Sequence, residues 1–372
     1  MPLLKCFKSI IIVTCLLPQI LWGMKTDEFI KWWNDYRNQS IIPVELKQME
    51  DYFVNSNLIS YSSNYWNVLN KKNIEQISTY GYENFKQTVA RNYFTWNVSL
   101  DHSYASKLIQ SVPQLIVGLD PAEFYQVHPL WGTTESLEFN TVTLYLLNYM
   151  LINGAAPFLD KLEEPLIGNP PFVTYNNRRV SQDILNSLLE FIPVSQNCPM
   201  ENISTIVEIG AGSGRTAFCY MTLLPHVKYV IADIPPALYV SQKYLADVFP
   251  EKKVMKFRPF SSFEEIAEEY AQADIVFLTP DQLLSLPDGS ADLFLAIDCL
   301  HEMKPGMISH YFNEAERLCS YFYFKCWQQT TVPYDGNNYS SESYPVRTSW
   351  QKLFREDCVI PSEFFHAIYR MK

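Results

Sequence analysis

The sequence predicts an α/β protein with a doubly wound, mostly parallel, Rossmann-like sheet that follows a mainly helical N-terminal region. Three observations support this fold class. Short apolar runs alternate with amphipathic helices after residue 202, a glycine-rich turn joins the first of these runs to a helix, and the preceding region lacks the alternation. Alternating strands and helices are typical of a parallel sheet that has helices on both faces.

The first segment, residues 1–23, resembles a leader. Lys5 and Lys8 precede an apolar run from Ile10 to Trp22, which is too short to span a bilayer as a helix but suits the hydrophobic part of a signal peptide. We expect a signal peptide or short membrane anchor here, and hence a secreted, periplasmic or lumenal protein. The alternative is an apolar helix packed on a cytoplasmic protein. No stable membrane span is expected elsewhere.

Residues 24–160 have a helical pattern and form the predicted N-terminal, substrate-binding region. Its aromatic residues are expected to be helical core, with a platform for sugar rings as the alternative. A first helix carries an aromatic cluster, and a helix at 140–151 is apolar almost all round and therefore expected to be buried. The four-residue spacing of Phe85, Val89 and Tyr93 predicts one further helical face.

Residues 161–372 form the predicted ligand-binding domain. A helix from Ser181 to about Phe191 has a plausible N-cap in Ser181. The alternating pattern after it predicts strands at Thr205–Ile209, Tyr229–Ala232, Ile275–Leu278, Leu293–Ile297 and Tyr321–Phe324, helices at Arg215–Leu224, Pro235–Val248 and Pro305–Cys319, and a last, antiparallel strand at Phe364–Tyr369.

Composition excludes several classes of function. The formal net charge of −11 disfavours a general nucleic-acid binder, because an acidic surface repels phosphate backbones. Eight cysteines in 372 residues are too few for a disulfide scaffold, and the absence of a C-x-x-C pair argues against a zinc ribbon. We therefore assign no metal ligands and expect a small molecule or a glycan as the partner.

The most informative motif is a glycine-rich turn at the end of the first predicted strand. Its glycines, Gly210, Gly212 and Gly214, follow the acid Glu208, and the next predicted strand ends at Asp233. Glycine allows a sharp turn and the close approach of a ligand, and a carboxylate after the second strand can bind both ribose hydroxyls. The spacing lacks the Walker lysine and differs from G-x-G-x-x-G. It favours a ligand with an amino acid and a nucleoside but no pyrophosphate.

These features resemble the class I methyltransferases that use S-adenosylmethionine. The resemblance implies that the glycines pass under the methionine and ribose, that Glu208 lies beside the methionine, and that Asp233, with Ile234 after it, holds the ribose. In this fold the adenine ring meets the loop after the third strand, which implies Asp281 and Gln282. An ordinary strand–helix turn and a nicotinamide-dependent oxidoreductase are the alternatives, since Asp233 would serve a nicotinamide cofactor equally.

A narrower resemblance, covering the chain from about residue 75 onward, is to the putative sugar O-methyltransferase family. It rests on Gly81–Lys86, Glu164–Pro170, Ser181–Ser187, Asp233–Pro235 and His301–Met303. The resemblance implies methyl transfer from S-adenosylmethionine to a sugar or glycan hydroxyl. A non-catalytic binding protein on the same fold is the alternative. Asn169 and the Ser181–Asn186 helix start either close over the ligands or only form a turn and a cap.

Candidate catalytic residues follow the predicted strand Leu293–Ile297, at the sheet edge where open α/β sheets bind ligands. His301 is the expected general base, because a neutral imidazole can accept the hydroxyl proton. Asp298 or Glu302 is expected to orient its ring, and Glu302 is the second candidate for the base. A histidine that only packs or caps the following helix is the structural alternative.

Overall fold

The structure is a computed structural model that describes residues 23–93 and 126–372. The predicted leader, apart from Gly23, lies outside the described residues. Within these two ranges, none of the helices combines the length and apolar character needed to cross a membrane.

The central sheet confirms the predicted fold class. Its eight strands lie in the order β11-β12-β8-β7-β3-β4-β6-β5, and β5, β6, β4, β3, β7 and β8 run parallel whereas β12 is antiparallel to both neighbours. The strands of this sheet are β3 (Thr205–Ile209), β4 (Lys228–Ala232), β5 (Val254–Met255), β6 (Ile275–Leu278), β7 (Leu293–Ile297), β8 (Tyr321–Trp327), β11 (Gln351–Asp357) and β12 (Phe364–Arg370).

Helices cover both faces of this sheet, because the parallel strands bury residues on both sides. On one face Ile206 lies in a core with residues of α6 (Gln182–Asn197), α7 (Arg215–Leu223) and α8 (Pro235–Val248). On the other face its neighbour Val207 lies in a second core with residues of α9 (Ala267–Gln272) and α10 (Pro305–Leu318). The carboxyl ends of β3, β4 and β7 therefore meet between the two layers at one edge.

The N-terminal region packs on the same core as the sheet. The predicted first helix is confirmed as α1 (Thr26–Tyr36), which buries Phe29 and Trp33 in the cluster that also contains Ile206. It is followed by α2 (Val44–Val54), α3 (Asn64–Tyr80), α4 (Thr133–Ile152) and α5 (Ala156–Leu159). The predicted buried helix at 140–151 is confirmed as the C-terminal part of α4.

The helical face expected at Phe85, Val89 and Tyr93 is wrong. This stretch forms two short 3₁₀ helices, Tyr82–Gln87 and Val89–Asn92, and Thr88 between them has φ −123° and ψ −83°. Phe85 and Val89 are nevertheless fully buried. Two separate short turns bury these side chains at a four-residue spacing. The spacing of apolar residues alone does not distinguish such turns from one continuous helix.

Several elements differ from the sequence expectation in extent or existence. The helix that begins after Ser181 runs on to Asn197 with Pro193 inside it, and β8 continues three residues beyond Phe324. The last strand is antiparallel, as expected. Two hairpins were not expected; they pair β1 (Val173–Tyr175) with β2 (Arg178–Val180) and β9 (Gln329–Thr331) with β10 (Asn338–Ser340). Strands β5 and β11 were not expected from the sequence either.

Candidate active site

The glycine-rich turn after β3 requires its glycines. Gly210, Gly212 and Gly214 have φ values of 64°, 59° and 85°, in the left-handed region that favours glycine. A Cβ on Gly210 would lie 2.6 Å from the Cβ of Cys299, so this backbone approach excludes any side chain. The open side of Gly212 instead faces the ring of Tyr93, 3.4 Å from where a Cβ would lie.

Asp233, directly after β4, holds the same turn. Its Oδ2 accepts the backbone N–H of Gly212 at 2.8 Å, and its Oδ1 accepts that of Ile234 at 2.7 Å. Burial raises the pKa of Asp233 to about 7, although these two hydrogen bonds act in the opposite direction. Each oxygen keeps acceptor capacity, so the carboxylate can also bind a diol.

Glu208 is buried within β3, two residues before the first glycine. Its Oε2 accepts a hydrogen bond from the Tyr229 hydroxyl at 2.9 Å. Burial raises the pKa of Glu208 to about 8, and the hydrogen bond from Tyr229 acts in the opposite direction. A positively charged group in the adjacent space would favour its ionised form.

These groups line one cleft of about 1120 Å³, a volume that includes its open mouth. The cleft lies at the carboxyl ends of β3, β4 and β7, where ligands of open α/β sheets bind. Its walls combine backbone of the glycine turn, carboxylates and apolar side chains. The lining side chains include Phe53, Leu58, Trp66, Tyr93, Glu208, Arg215, Asp233, Ile234, Asp298, Glu302 and Met303.

A buried four-residue charge cluster supports one wall of the cleft. Glu190 of α6 binds Arg215 through both oxygens, at 2.7 and 3.0 Å, and accepts a hydrogen bond from Lys325 of β8 at 2.9 Å. Lys325 and Arg215 also approach Asp298 Oδ2, at 3.2 and 3.4 Å. The two cations and two carboxylates balance one another, which is the arrangement that makes burial of charge tolerable.

Asp298, one of the predicted catalytic residues, lies directly after β7 and lines the cleft. Its φ of 56° is in the left-handed region, where a non-glycine residue is strained. While Oδ2 faces the charge cluster, the buried Oδ1 has no hydrogen-bond partner within the described part of the chain. Burial raises the pKa of Asp298, against the effect of Lys325.

The structure places Glu302, and not His301, in the cleft. The Trp66 side chain donates a hydrogen bond to Glu302, and burial, followed by the charge of Asp298, raises the pKa of Glu302 to about 8. The His301 ring packs against Trp327 and Phe364, and burial lowers its pKa to about 3. Its Nε2 lies 3.9 Å from Glu302 Oε1, too far for the orienting hydrogen bond expected from the sequence.

The loop residues expected near an adenine ring have other partners. Gln282 accepts the backbone N–H of Thr279 and donates to the carbonyl of Arg258. Asp281 accepts a hydrogen bond from the Tyr52 hydroxyl at 2.9 Å. Neither residue lines the cleft; Pro280 and Ile234 do. The structure thus separates Asp281 and Gln282 from the other predicted ligand-binding residues.

Some cleft residues were missed from the sequence. Phe53, Trp66 and Tyr93 line the cleft and come from the N-terminal region. Glu190 of α6 and Lys325 of β8 support its wall through Arg215 and Asp298 without lining it. No local pattern marks these five residues, because only the packing of distant elements brings them together. Ser213, Arg215 and Thr216 also line the cleft, and their positions inside the glycine motif were a usable signal.

Over residues 23–93 and 126–372, no group of three or more His, Cys, Asp or Glu side chains is arranged to hold a metal ion.

Comparisons with known proteins give similar solved structures but no related sequence family. No family model matches the chain, and no curated protein matches its sequence significantly. Among solved structures, PH0226 from Pyrococcus horikoshii is similar at 12% identity over 52% of this chain and 92% of its own, with a TM-score of 0.37. The mitomycin 7-O-methyltransferase MmcR is similar at 12% identity over 72% of this chain and 68% of its own, with a TM-score of 0.36.

Human N-acetylserotonin methyltransferase, solved with S-adenosylmethionine, is similar at 16% identity over 51% of this chain and 55% of its own, with a TM-score of 0.31. Sequence identities and TM-scores this low carry no argument about activity. The fold class rests on the strand order of the chain itself.

Proposed function

We propose that the protein is an S-adenosylmethionine-dependent O-methyltransferase. The observation that carries the proposal is the convergence of Glu208, the glycine turn and Asp233 on one cleft at the carboxyl ends of β3 and β4. This arrangement suits a nucleoside linked to a cationic amino acid. One acid can bind the ribose diol, the turn exposes its backbone, and the second acid lies beside the turn.

The side chains of the cleft fit this donor. Asp233 would bind the ribose hydroxyls, Ile234 and Pro280 would contact the adenine, and Glu208 would face the positively charged methionine end; all four residues line the cleft. When bound, S-adenosylmethionine supplies a methyl group on a positively charged sulfur. Because transfer needs alignment and removal of one proton, the protein mainly has to orient the acceptor and provide a base.

Glu302 is the proposed base. It lines the cleft, and its pKa of about 8 lies close to neutral pH, where a general base is most effective. The ionised Glu302 carboxylate accepts the proton of the attacking hydroxyl, while the hydrogen bond from Trp66 holds the carboxylate in place. His301 has the wrong surroundings for this role, since its ring packs between Trp327 and Phe364.

The proposed acceptor is a sugar or glycan hydroxyl. This part of the proposal rests on the resemblance of Gly81–Lys86, Glu164–Pro170 and Ser181–Ser187 to the putative sugar O-methyltransferase family. The aromatic rings of Phe53, Trp66 and Tyr93 support it, because they provide flat surfaces on which a sugar ring can stack.

Donor binding is the first test. Calorimetry with S-adenosylmethionine and with its thioether product is expected to show one site, and absence of binding to both would overturn the proposal. Turnover of a radiolabelled donor with a panel of hydroxylated acceptors then tests catalysis.

Two neighbouring variants test the base. Glu302→Gln is expected to lower turnover by about 10²–10⁴ with donor affinity unchanged, because the amide still accepts from Trp66 but cannot take a proton. His301→Gln serves as the matched control and should retain most of the turnover. The opposite pattern would assign the base to His301.

A further inference from the structure

The cleft has an excess of negative groups. Four carboxylates line it, those of Glu208, Asp233, Asp298 and Glu302, and Arg215 is the one cationic side chain in the lining that the structure describes. Lys304, close in sequence to Glu302, donates instead to the backbone carbonyl of Ser60. The charge of the described lining is therefore set by its acids.

The cations near the cleft do not offset this excess. Arg215 and Lys325 are balanced by Glu190 and Asp298 within their own cluster. Glu208, Asp233 and Glu302 remain outside it. Burial raises the pKa values of these three acids to about 7 or 8, so a bound cation would favour their ionised forms. The single net positive charge of S-adenosylmethionine cannot match all three carboxylates.

The acids of the cleft come from two parts of the sheet edge. Glu208 and Asp233 flank the glycine turn, where the proposed donor lies. Asp298 and Glu302 follow β7, and both line the cleft together with Leu58, Trp66 and Met303. The buried Oδ1 of Asp298 has no partner among the described residues. A buried carboxylate oxygen without a donor is costly, so a ligand that donates to it gains affinity.

We propose that Asp298 and Glu302 select an acceptor that carries a protonated amine beside its hydroxyl group, on a ring that packs against Trp66 and Phe53, and that they exclude acceptors bearing phosphate or carboxylate. This inference rests on the proposed function, because it concerns the acceptor side of the same cleft. An amino sugar and a hydroxylated aromatic amine both have this chemistry. A sugar phosphate or a uronic acid does not.

The test measures the binding of size-matched probes of opposite charge to the full chain saturated with the thioether product. Binding is monitored by ligand-observed NMR near neutral pH. Tyramine is compared with 4-hydroxyphenylacetate, and glucosamine with glucuronate. In at least one pair, the cationic probe is expected to bind about tenfold or more tightly than the anionic one, since opposite charges attract strongly in a partly desolvated site.

Variants connect the preference to the two residues. Asp298→Asn and Glu302→Gln should each reduce the ratio between the cationic and anionic probe affinities several-fold. Asp288→Asn is the control, because Asp288 is an exposed partner of Arg317 outside the cleft, and it should leave the ratio unchanged. Circular dichroism spectra of the variants establish that each is folded.

Equal or tighter binding of the anionic probes would overturn the inference, as would failure of every probe to bind. An unchanged ratio in both Asp298→Asn and Glu302→Gln would also overturn it. Failure of the thioether product to bind contradicts the proposed function instead. The probe series can then be repeated without the product, because the charge argument concerns the side chains of the cleft itself.

Discussion

At the residue scale, Asp233 has two roles that the sequence could not separate. The sequence placed a carboxylate at the end of the second strand, suited to a ribose. In the structure the same carboxylate also accepts the N–H groups of Gly212 and Ile234, and so fixes the turn that would receive the ligand. A change at Asp233 therefore alters both the ligand contact and the shape of the turn.

We expect Asp233→Ala to weaken binding of S-adenosylmethionine by about 2–3 kcal/mol, because a charge-assisted pair of hydrogen bonds to the ribose is lost. Calorimetry measures the change. Asp281→Ala is the matched control, since Asp281 bonds to Tyr52 and does not line the cleft, and it should change affinity by less than about 0.5 kcal/mol. Equal effects of the two variants would contradict the assignment of the ribose site.

At the element scale, the start of α6 joins three segments that are far apart in sequence. The Ser181 side chain caps the helix by accepting the N–H of Ile184, as its sequence predicts, and its hydroxyl donates to Glu164. Lys86 binds Glu164 at 2.5 Å and Asp183 at 3.0 Å. These contacts fix the N-terminal region on the domain and leave Ser181 outside the cleft lining.

Asn169 and Asn186 likewise do not line the cleft, so neither has the ligand-closing position that was one of their two interpretations. Asn169 forms a turn with φ 54° and donates to Asn84. This outcome favours the turn-and-cap interpretation of these segments.

Removing Lys86, the cation that joins Glu164 to the start of α6, should destabilise the protein. Lys86→Met leaves the carboxylates of Glu164 and Asp183 without their buried partner, and breaking a buried pair in this way costs about 3–5 kcal/mol. Urea denaturation measures the loss. The i,i+4 pair of Lys71 with Glu75 is partly exposed, so Lys71→Met should cost less than about 1 kcal/mol. Similar losses in the two variants would contradict the buried network.

Helix α2 carries a buried acid, Glu50, whose two oxygens have no hydrogen-bond partner within the described ranges. Burial raises its pKa to about 8. The folded state therefore holds a proton on Glu50 that the unfolded chain releases at lower pH. Its contribution to stability is complete at acidic pH and is lost as pH rises towards 8.

Glu50→Gln is accordingly expected to raise the free energy of unfolding at about pH 9 by about 1–3 kcal/mol, and to change it little at about pH 4, where Glu50 is mostly protonated in both the folded and the unfolded state. Denaturation curves at the two pH values measure the difference. Glu45→Gln on the exposed side of the same helix is the control. A gain that does not depend on pH would contradict the burial argument.

At the scale of the whole molecule, the cleft couples stability to pH. The pKa values of Asp233, Glu208 and Glu302 are raised by burial to about 7, 8 and 8. Between the unfolded carboxyl pKa and these values, the folded state binds more protons than the unfolded chain, so stability falls as pH rises. His301, with its pKa lowered to about 3, acts in the opposite direction, but only below the unfolded histidine pKa of about 6.5.

We therefore expect the free energy of unfolding to decrease between about pH 6.5 and pH 8, by up to about 1.4 kcal/mol per pH unit for each carboxyl group that titrates there. Urea denaturation at several pH values measures this slope. The Glu302→Gln variant should show a shallower slope than the wild-type chain. A stability that rises across this window would contradict the raised pKa values.

The sequence by itself determined the fold class, the position of most strands of the main sheet along the chain and the glycine-rich turn. These features are local: apolar alternation defines the strands, and glycine is the residue that tolerates the positive φ at 210, 212 and 214. Only the tertiary structure decided which side chain after β7 faces the cleft. His301 and Glu302 are adjacent and both were plausible bases, but the rings of Trp327 and Phe364 enclose one while Trp66, from α3, binds the other. Partners that lie so far away in sequence leave no local pattern, because burial and hydrogen bonding are properties of the packed molecule.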